Sequence, residues 1–307
     1  MPVVTLREIL KNAGRGKYAV GMFDVHHSDM AEAVLEAAEE RKAPVILALA
    51  EVHAVQPGQL TAVGSMLVRA AERAGVPVAV HLDHAVSVET AVRAMELGFS
   101  SVMYDGSALS LEENLENTAK TVRLAGAFGA SVEAELGHVG GEEGNSDGSG
   151  GSVYTKPEDA AYFAEMTGAD ALAVSIGTVH GRYREKPNLN IPLLEEIHRR
   201  VSIPLVLHGG SGLSDQDFKD CIAGGISKIN IYTEIAEAAR MVLIEDAGSL
   251  GYFDLMQKSK RAMRAVAAEK IKLFGSQGKA PALSEPGTPP QETAVSYTHL
   301  RAHETLR

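Results

Sequence analysis

Residues 77–83 read PVAVHLD and run on into His84 and Ala85. Proline leads, small and branched apolar residues follow, and polar groups gather at the far end. Such a segment suits a parallel strand buried on both faces, with its proline at the start, where a missing N–H costs little. The same pattern recurs in YAVGMFD (18–24), PVILALA (44–50), SVMYD (101–105), SVEAEL (131–136), ALAVSI (171–176), PLVLH (204–208) and SKINIY (227–232). Helical patterns lie between the runs. One covers 28–41 with Ser28 as its N-cap, another covers 87–97 and stops at Gly98, and in a third Ser214 and Asp217 match a capping box. Eight such β–α units with short connections predict an α/β fold, a TIM (β/α)8 barrel. A doubly wound open sheet is the rival. The strand count and the lack of a dinucleotide fingerprint after the first strand favour the barrel.

Composition agrees with a large folded domain. The 307 residues are 45% hydrophobic and 22% charged, enough to fill a core and to exclude global disorder. Lysine and arginine total 29 against 40 acids, a formal charge of −11. That surface repels nucleic acid and anionic membranes, so a phosphorylated ligand must be held by local features. The single cysteine, Cys221, excludes intrachain disulfides and cysteine-cluster metal sites and suits a reducing compartment. No apolar run approaches membrane-spanning length, and MPVVTLREIL lacks a signal-peptide pattern, so a cytoplasmic location is expected.

The barrel is expected over residues 1–279, followed by a disordered proline-rich tail over 280–294. Residues 295–305, VSYTHLRAHET, resemble a translated sequencing adapter, and 295–307 are set aside as non-native, with His299 and His303. One internal connection breaks the pattern of short loops. It begins GHVGGEEGNSDGSGG at Gly137 and carries seven glycines in fifteen positions. A loop of that kind after the fifth strand sits where TIM barrels build their active sites, and it reads as a lid.

Nine histidines remain once the adapter is removed. His84 closes the third strand, His180 follows the sixth in IGTVHG, and His208 ends the seventh in LHGGSG, so a barrel would gather them at one mouth. Three imidazoles with an open fourth position make a catalytic zinc arrangement, and three unrelated loop histidines are the alternative. Carboxylates stand at the same strand ends: Asp83, Asp105, and Glu133 with Glu135 on one strand face. Acids there pack poorly and point to ligand, metal or acid–base roles. Glycine-rich Gly209–Gly212 after the seventh strand and Asn230–Thr233 at the eighth suit a phosphate cradle of backbone N–H groups and a helix N-terminus.

These residues carry a resemblance. VPVAVHLDHA (76–85) and VEAELGHVGGEE (132–143), with IGTVHG, VLHGGSGL and a terminal KLFGSQGKA, resemble the class II, metal-dependent ketose-bisphosphate aldolases, the fructose- and tagatose-bisphosphate aldolase family. The similarity runs from about Leu6 to Ala280. It implies a glycolytic type of sugar chemistry, with a ketose 1-phosphate or 1,6-bisphosphate cleaved reversibly to dihydroxyacetone phosphate and an aldehyde such as glyceraldehyde 3-phosphate. It implies His84, His180 and His208 as ligands of a catalytic Zn²⁺. Asp105 and Glu135 match positions for a second ion, divalent or monovalent. Asp83 would be the acid–base group at the hydroxyl of the cleaved bond, and Glu143 would exchange the proton on the dihydroxyacetone phosphate carbon. Gly181, Gly209, Gly210, Ser211, Asn230 and Thr233 match the pocket for that phosphate, and a homodimer or homotetramer is implied. Zinc as a Lewis acid serves such a cleavage without a Schiff-base lysine, and a glycine-rich lid lets Glu143 come and go.

The sequence departs from the family where the other half of the substrate binds. Asp24, in Met22-Phe23-Asp24, stands where an asparagine is usual, Ala50 where a serine is usual, and Tyr232 where fructose-bisphosphate enzymes carry an acid. Leu250-Gly251-Tyr252-Phe253-Asp254 occupies the place of an Asp-Pro-Arg whose arginine reaches the distal phosphate of a neighbouring subunit. Lys260, Arg261 and Arg264 either compensate or lie on a solvated helix face. A zinc hydrolase on the same barrel would have no reason to keep a phosphate cradle. A non-catalytic homologue would not need every chemical group in place.

Overall fold

A computed structural model of the chain describes residues 2–54, 56, 58–141, 153–181 and 187–281. Eight parallel strands close into a barrel: β1 (Val20–Asp24), β2 (Val45–Ala50), β3 (Val78–Ala85), β4 (Ser101–Tyr104), β5 (Ser131–Leu136), β6 (Ala171–Val174), β7 (Leu205–Leu207) and β8 (Ile226–Ile231). Each strand pairs with its sequence neighbours, and β1 closes the ring by pairing with both β2 and β8. Helices cover the outside. This is a TIM barrel, as the run spacing predicts. The tail and the adapter-like segment fall at 282–307, outside the described residues. No described helix is long and apolar enough to cross a membrane.

Strand periodicity sorts the side chains into two layers. Phe23, Leu47, Leu49, Val80, Leu82, Val102, Val132, Leu172 and Leu207 point outward and pack beneath the helices in one buried cluster. Their alternates Val20, Met22, Ile46, Ala48, Ala79, Ala171, Ala173 and Val206 point inward and pack with Leu6, Ile9, Leu10 and Tyr18, which plug the N-terminal end of the barrel. Higher on the same inward faces the residues turn polar: Asp24 on β1, His81 and Asp83 on β3, Glu133 and Glu135 on β5, Lys228 and Asn230 on β8. One rule of alternation thus makes an apolar floor and a polar mouth.

The predicted capping box at Ser214 is present, with Asp217 Oδ2 accepting from the Ser214 N–H and Ser214 Oγ accepting from the Asp217 N–H. Ser87 caps Val88–Glu96 in the predicted place. The helix Ser28–Arg41 differs: its cap is His27, whose Nδ1 accepts from the Met30 N–H at 3.4 Å, and Ser28 is already helical. An imidazole nitrogen here does the work expected of the hydroxyl one residue later.

Leu47 is fully buried in the outer layer and remote from the polar mouth. Leu47→Ala is expected to destabilise the protein by about 2–5 kcal/mol in denaturant unfolding. A loss under about 1 kcal/mol would mean that this layer is loosely packed.

Candidate active site

At the barrel mouth the three predicted imidazoles meet. Ring nitrogens of His84, His180 and His208 all lie within 4.8 Å of one another, and the residues are 3%, 5% and 0% exposed. His84 reaches the mouth against the alternation rule, since Asp83 before it already points inward. Its φ of 50° lies in the left-handed region, and the β3–β4 register shifts between Leu82 and Ala85. Backbone strain in a non-glycine residue costs of order 1–3 kcal/mol and persists only where the surrounding structure holds it. Here it sets two consecutive side chains into one cavity.

Carboxylates outside the cluster fix the rings. His84 Nδ1 lies 2.8 Å from Asp105 Oδ2, which turns Nε2 toward the cluster, 2.9 Å from His208 Nδ1. His208 Nε2 lies 2.9 Å from Glu133 Oε1, so its Nδ1 is the nitrogen offered. Such partners are what orient imidazole ligands around an ion. His180 sits on a short strand pair, Val179–His180 with Gly140–Gly141, in which Gly141 is its register partner. The glycine-rich connection therefore starts beside a candidate ligand. Glu142 and Glu143 lie outside the described residues.

Electrostatics divide the group. Burial alone would lower the His84 imidazole, but Asp83 and Asp105 outweigh it and hold it well above its ordinary range. Burial, with charge on His84 adding to it, drives His180 and His208 well below theirs and keeps them as lone-pair donors. Burial opposes ionisation of Asp105, yet the His84 contact and two Ser107 hydrogen bonds hold its carboxyl far below the usual range. Burial raises Asp83, which suits a group that must take a proton. Burial and the neighbouring Asp105 raise Glu135 well above normal, and Glu135 Oε2 has no hydrogen-bond partner among the described residues. A cation resolves that conflict. Three convergent imidazoles, with Asp105 and Glu135 sharing a second grouping around His84, fit a divalent ion as their donor set.

Beneath them runs a buried ion pair that sequence reasoning passed over. Lys228 Nζ lies 2.9 Å from Glu133 Oε2 and donates to Asn230 Oδ1 at 2.8 Å, and Lys228 and Glu133 are both fully buried. Asn230 is thereby oriented with its amide N–H groups toward Asp83, 3.3 and 3.4 Å from the two carboxylate oxygens. His81 lies below Asp83 with Nδ1 2.8 Å from Ser101 Oγ, and burial with Lys228 nearby lowers its pKa to about 3. The available signal was periodicity: Lys228 is the one charge inside an apolar strand, two residues before Asn230 on the same face.

Asp24, Gly181, Gly209, Gly210, Ser211, Asn230, Tyr232 and Thr233 all line one pocket, with His180 in its wall. Gly209 has φ 66°, and a Cβ there would stand 2.3 Å from the Val179 carbonyl oxygen, so only glycine lets this loop pass. Thr233 opens the helix Thr233–Asp246, whose free N–H groups face an anion naturally. No lysine or arginine lines the pocket among the described residues. Lys260 and Arg264 are engaged elsewhere: Lys260 pairs with Glu32 and Glu36 at 2.6 and 2.7 Å, and Arg264 with Glu40 at 2.6 Å.

Comparison with known proteins follows the same line. The family model described as fructose-bisphosphate aldolase class-II matches residues 4–279. The chain belongs to that family. An Escherichia coli K12 protein, YdjI, called uncharacterized, is 43% identical over 263 residues, 86% of this chain and 94% of its own. Fructose-bisphosphate aldolase of Geobacillus stearothermophilus is 40% identical over 286 residues, 91% of this chain and 99% of its own. The X-ray structure titled YdjI aldolase superposes with TM-score 0.80 at 38% identity, covering 91% and 100% of the two chains. A putative fructose-1,6-bisphosphate aldolase structure from Coccidioides immitis gives 0.83 at 32% identity, covering 89% and 97%.

Removing one partner of a buried ion pair leaves an uncompensated charge, at a cost of about 3–5 kcal/mol. Glu133→Gln and Lys228→Met are each expected to lose stability on that scale. The double variant should lose less than the sum by at least about 1 kcal/mol, read by denaturant unfolding. Additive losses would show that the two groups are not coupled.

Proposed function

We propose that the protein is a divalent-metal aldolase, zinc being the favoured ion, that reversibly cleaves ketose 1-phosphates to dihydroxyacetone phosphate and an aldehyde. The observation that carries this reading is the meeting of three oriented imidazoles, a buried Asp83 and a glycine-lined anion pocket at one barrel mouth. In this reading the phosphate rests on backbone N–H groups of the Gly209–Ser211 turn and on the helix start at Thr233. Asp83 takes the proton of the hydroxyl beside the cleaved bond, the carbon–carbon bond breaks, and its electron pair passes to the ketone half. Asn230 holds Asp83 in place and stays tied to Lys228. Glu143 then returns a proton to the carbon; its chain leaves the described residues just beyond Gly141, the partner of His180. A divalent ion on His84, His180 and His208 supplies positive charge where the ketone carbonyl becomes electron-rich. Asp105 and Glu135 would serve a second cation.

The working unit in this reading is residues 1–279, acting as a homo-oligomer in the cytoplasm. Tyr252 and Phe253 are 80% and 72% exposed at the start of the last helix, with Ile244 at 60% near the end of the helix before it. Apolar groups so placed suit contact with a second copy.

Chelation is expected to abolish cleavage, and added Zn²⁺ or Co²⁺ to restore it, while borohydride with substrate leaves activity intact. Inactivation by borohydride would indicate a lysine Schiff base and contradict the mechanism.

Among the described residues the pocket offers no countercharge to a second phosphate, and Asp24 adds a carboxylate. One lost charge-assisted contact is worth about 1.5–3 kcal/mol, or roughly 10–100-fold in catalytic efficiency. Fructose and tagatose 1,6-bisphosphates should therefore be poorer substrates than ketose 1-phosphates by about that factor. Strong preference for either bisphosphate would show that the distal phosphate is bound after all.

A further inference from the structure

The rim of the mouth at the ends of β1, β2 and β8 is built from rings. His26 lies two residues past β1, His53 closes the turn Glu51–His53 that follows β2, and Tyr232 follows β8. Because β1 pairs with both β2 and β8, these ends are neighbours on one side of the barrel. Ring centroids of His53 and Tyr232 are 4.6 Å apart, those of His26 and His53 5.6 Å, and those of His26 and Tyr232 6.0 Å. Tyr232 also lines the anion pocket, so the ring cluster adjoins the substrate space directly.

The phosphate cradle lies at the ends of β7 and β8, and Asp83 sits on β3. Around the ring β1 and β2 stand between β8 and β3, so the rim carrying His26 and His53 flanks the space between the cradle and Asp83. With the cradle taken by the phosphate, the rings are left to face the other half of the substrate.

We propose that His26, His53 and Tyr232 form a hydrogen-bonding wall that reads hydroxyl groups on the aldehyde half of the substrate, so that the preferred aldehyde is uncharged and polyhydroxylated. This rests on the aldolase reading above and assigns its unassigned end. The chemistry of the wall matches a hydroxyl, which both donates and accepts. A neutral imidazole carries one donor and one acceptor, and a phenol carries both. Burial lowers His26 to about 4, with His27 and His53 adding to the effect, and burial lowers His53 too. These rings therefore bring no positive charge to a second phosphate. His26 Nδ1 is placed against Met30 Sδ at 3.1 Å, so Nε2 is the nitrogen it presents. Among the described residues, the ligand atoms of this cluster do not converge as those of His84, His180 and His208 do.

The test runs the reaction toward condensation, joining dihydroxyacetone phosphate to glyceraldehyde or to propanal, which has the same carbon count and no further hydroxyl. His26→Phe and His53→Phe keep a ring of similar size and remove its hydrogen-bonding nitrogens. Each is expected to lower the ratio of kcat/KM for glyceraldehyde over propanal by about 3–10-fold, the worth of a net hydrogen bond. An unchanged or increased ratio overturns the proposal, whether the two rates hold or fall together. Wild-type protein that condenses neither aldehyde instead contradicts the aldolase reading on which the proposal stands.

Discussion

A lysine ammonium and a glutamate carboxylate, both shut away from solvent, hold the barrel mouth in order. The inward faces bring Asp24, Asp83, Glu133 and Glu135 into one enclosure, with Asp105 at its edge. Acids at that density repel one another, and each isolated buried charge is costly. Lys228 answers Glu133 directly and fixes Asn230, while Glu133 in turn fixes His208. From that one pair, contacts spread to a ligand ring on one side and to Asp83 on the other. A fully apolar replacement would satisfy packing but would orient neither.

The three imidazoles and the carboxylates around them crowd acid and base groups into one enclosure in which His84 alone among the rings is held toward its charged form. Asp105 is held toward its ionised form against His84, whereas Glu135 is pushed toward its neutral form, with one oxygen unpartnered among the described residues. Positive charge at the centre settles both, which is why the donor set reads as a metal centre and not as a packed core. Asp24 and Tyr232 share a pocket with the glycine cradle, and the rings of His53 and His26 adjoin Tyr232.

Much of this was legible in the sequence because local rules governed it. Buried parallel strands must be short apolar runs, so PVILALA and SVEAEL announced β2 and β5, and glycine pairs announced the turn at Gly209. The strand-end histidines followed from counting strands. The position of His84 at a strand end points to the mouth, yet alternation sends the residue after Asp83 outward; only a left-handed φ and a register shift bring it in. Lys228 and His81 escaped notice because their partners lie on other strands, up to 95 residues away in the case of Lys228 and Glu133. His26 and His53 escaped because their meeting depends on β1 pairing with β2, and only barrel closure through β8 brings Tyr232 beside them. Capping by His27 in place of Ser28 is a one-residue choice that backbone geometry settles late.

The central claim is that this mouth, loaded with a divalent ion, activates the carbon beside the ketone of dihydroxyacetone phosphate. Its most direct measurement is proton exchange into that compound in D2O, followed by NMR with no aldehyde present. The account predicts that metal-replete protein replaces one of the two hydrogens on that carbon, that a chelator stops the exchange, and that Zn²⁺ restores it. Metal-replete, folded protein that leaves the hydrogen in place would contradict it.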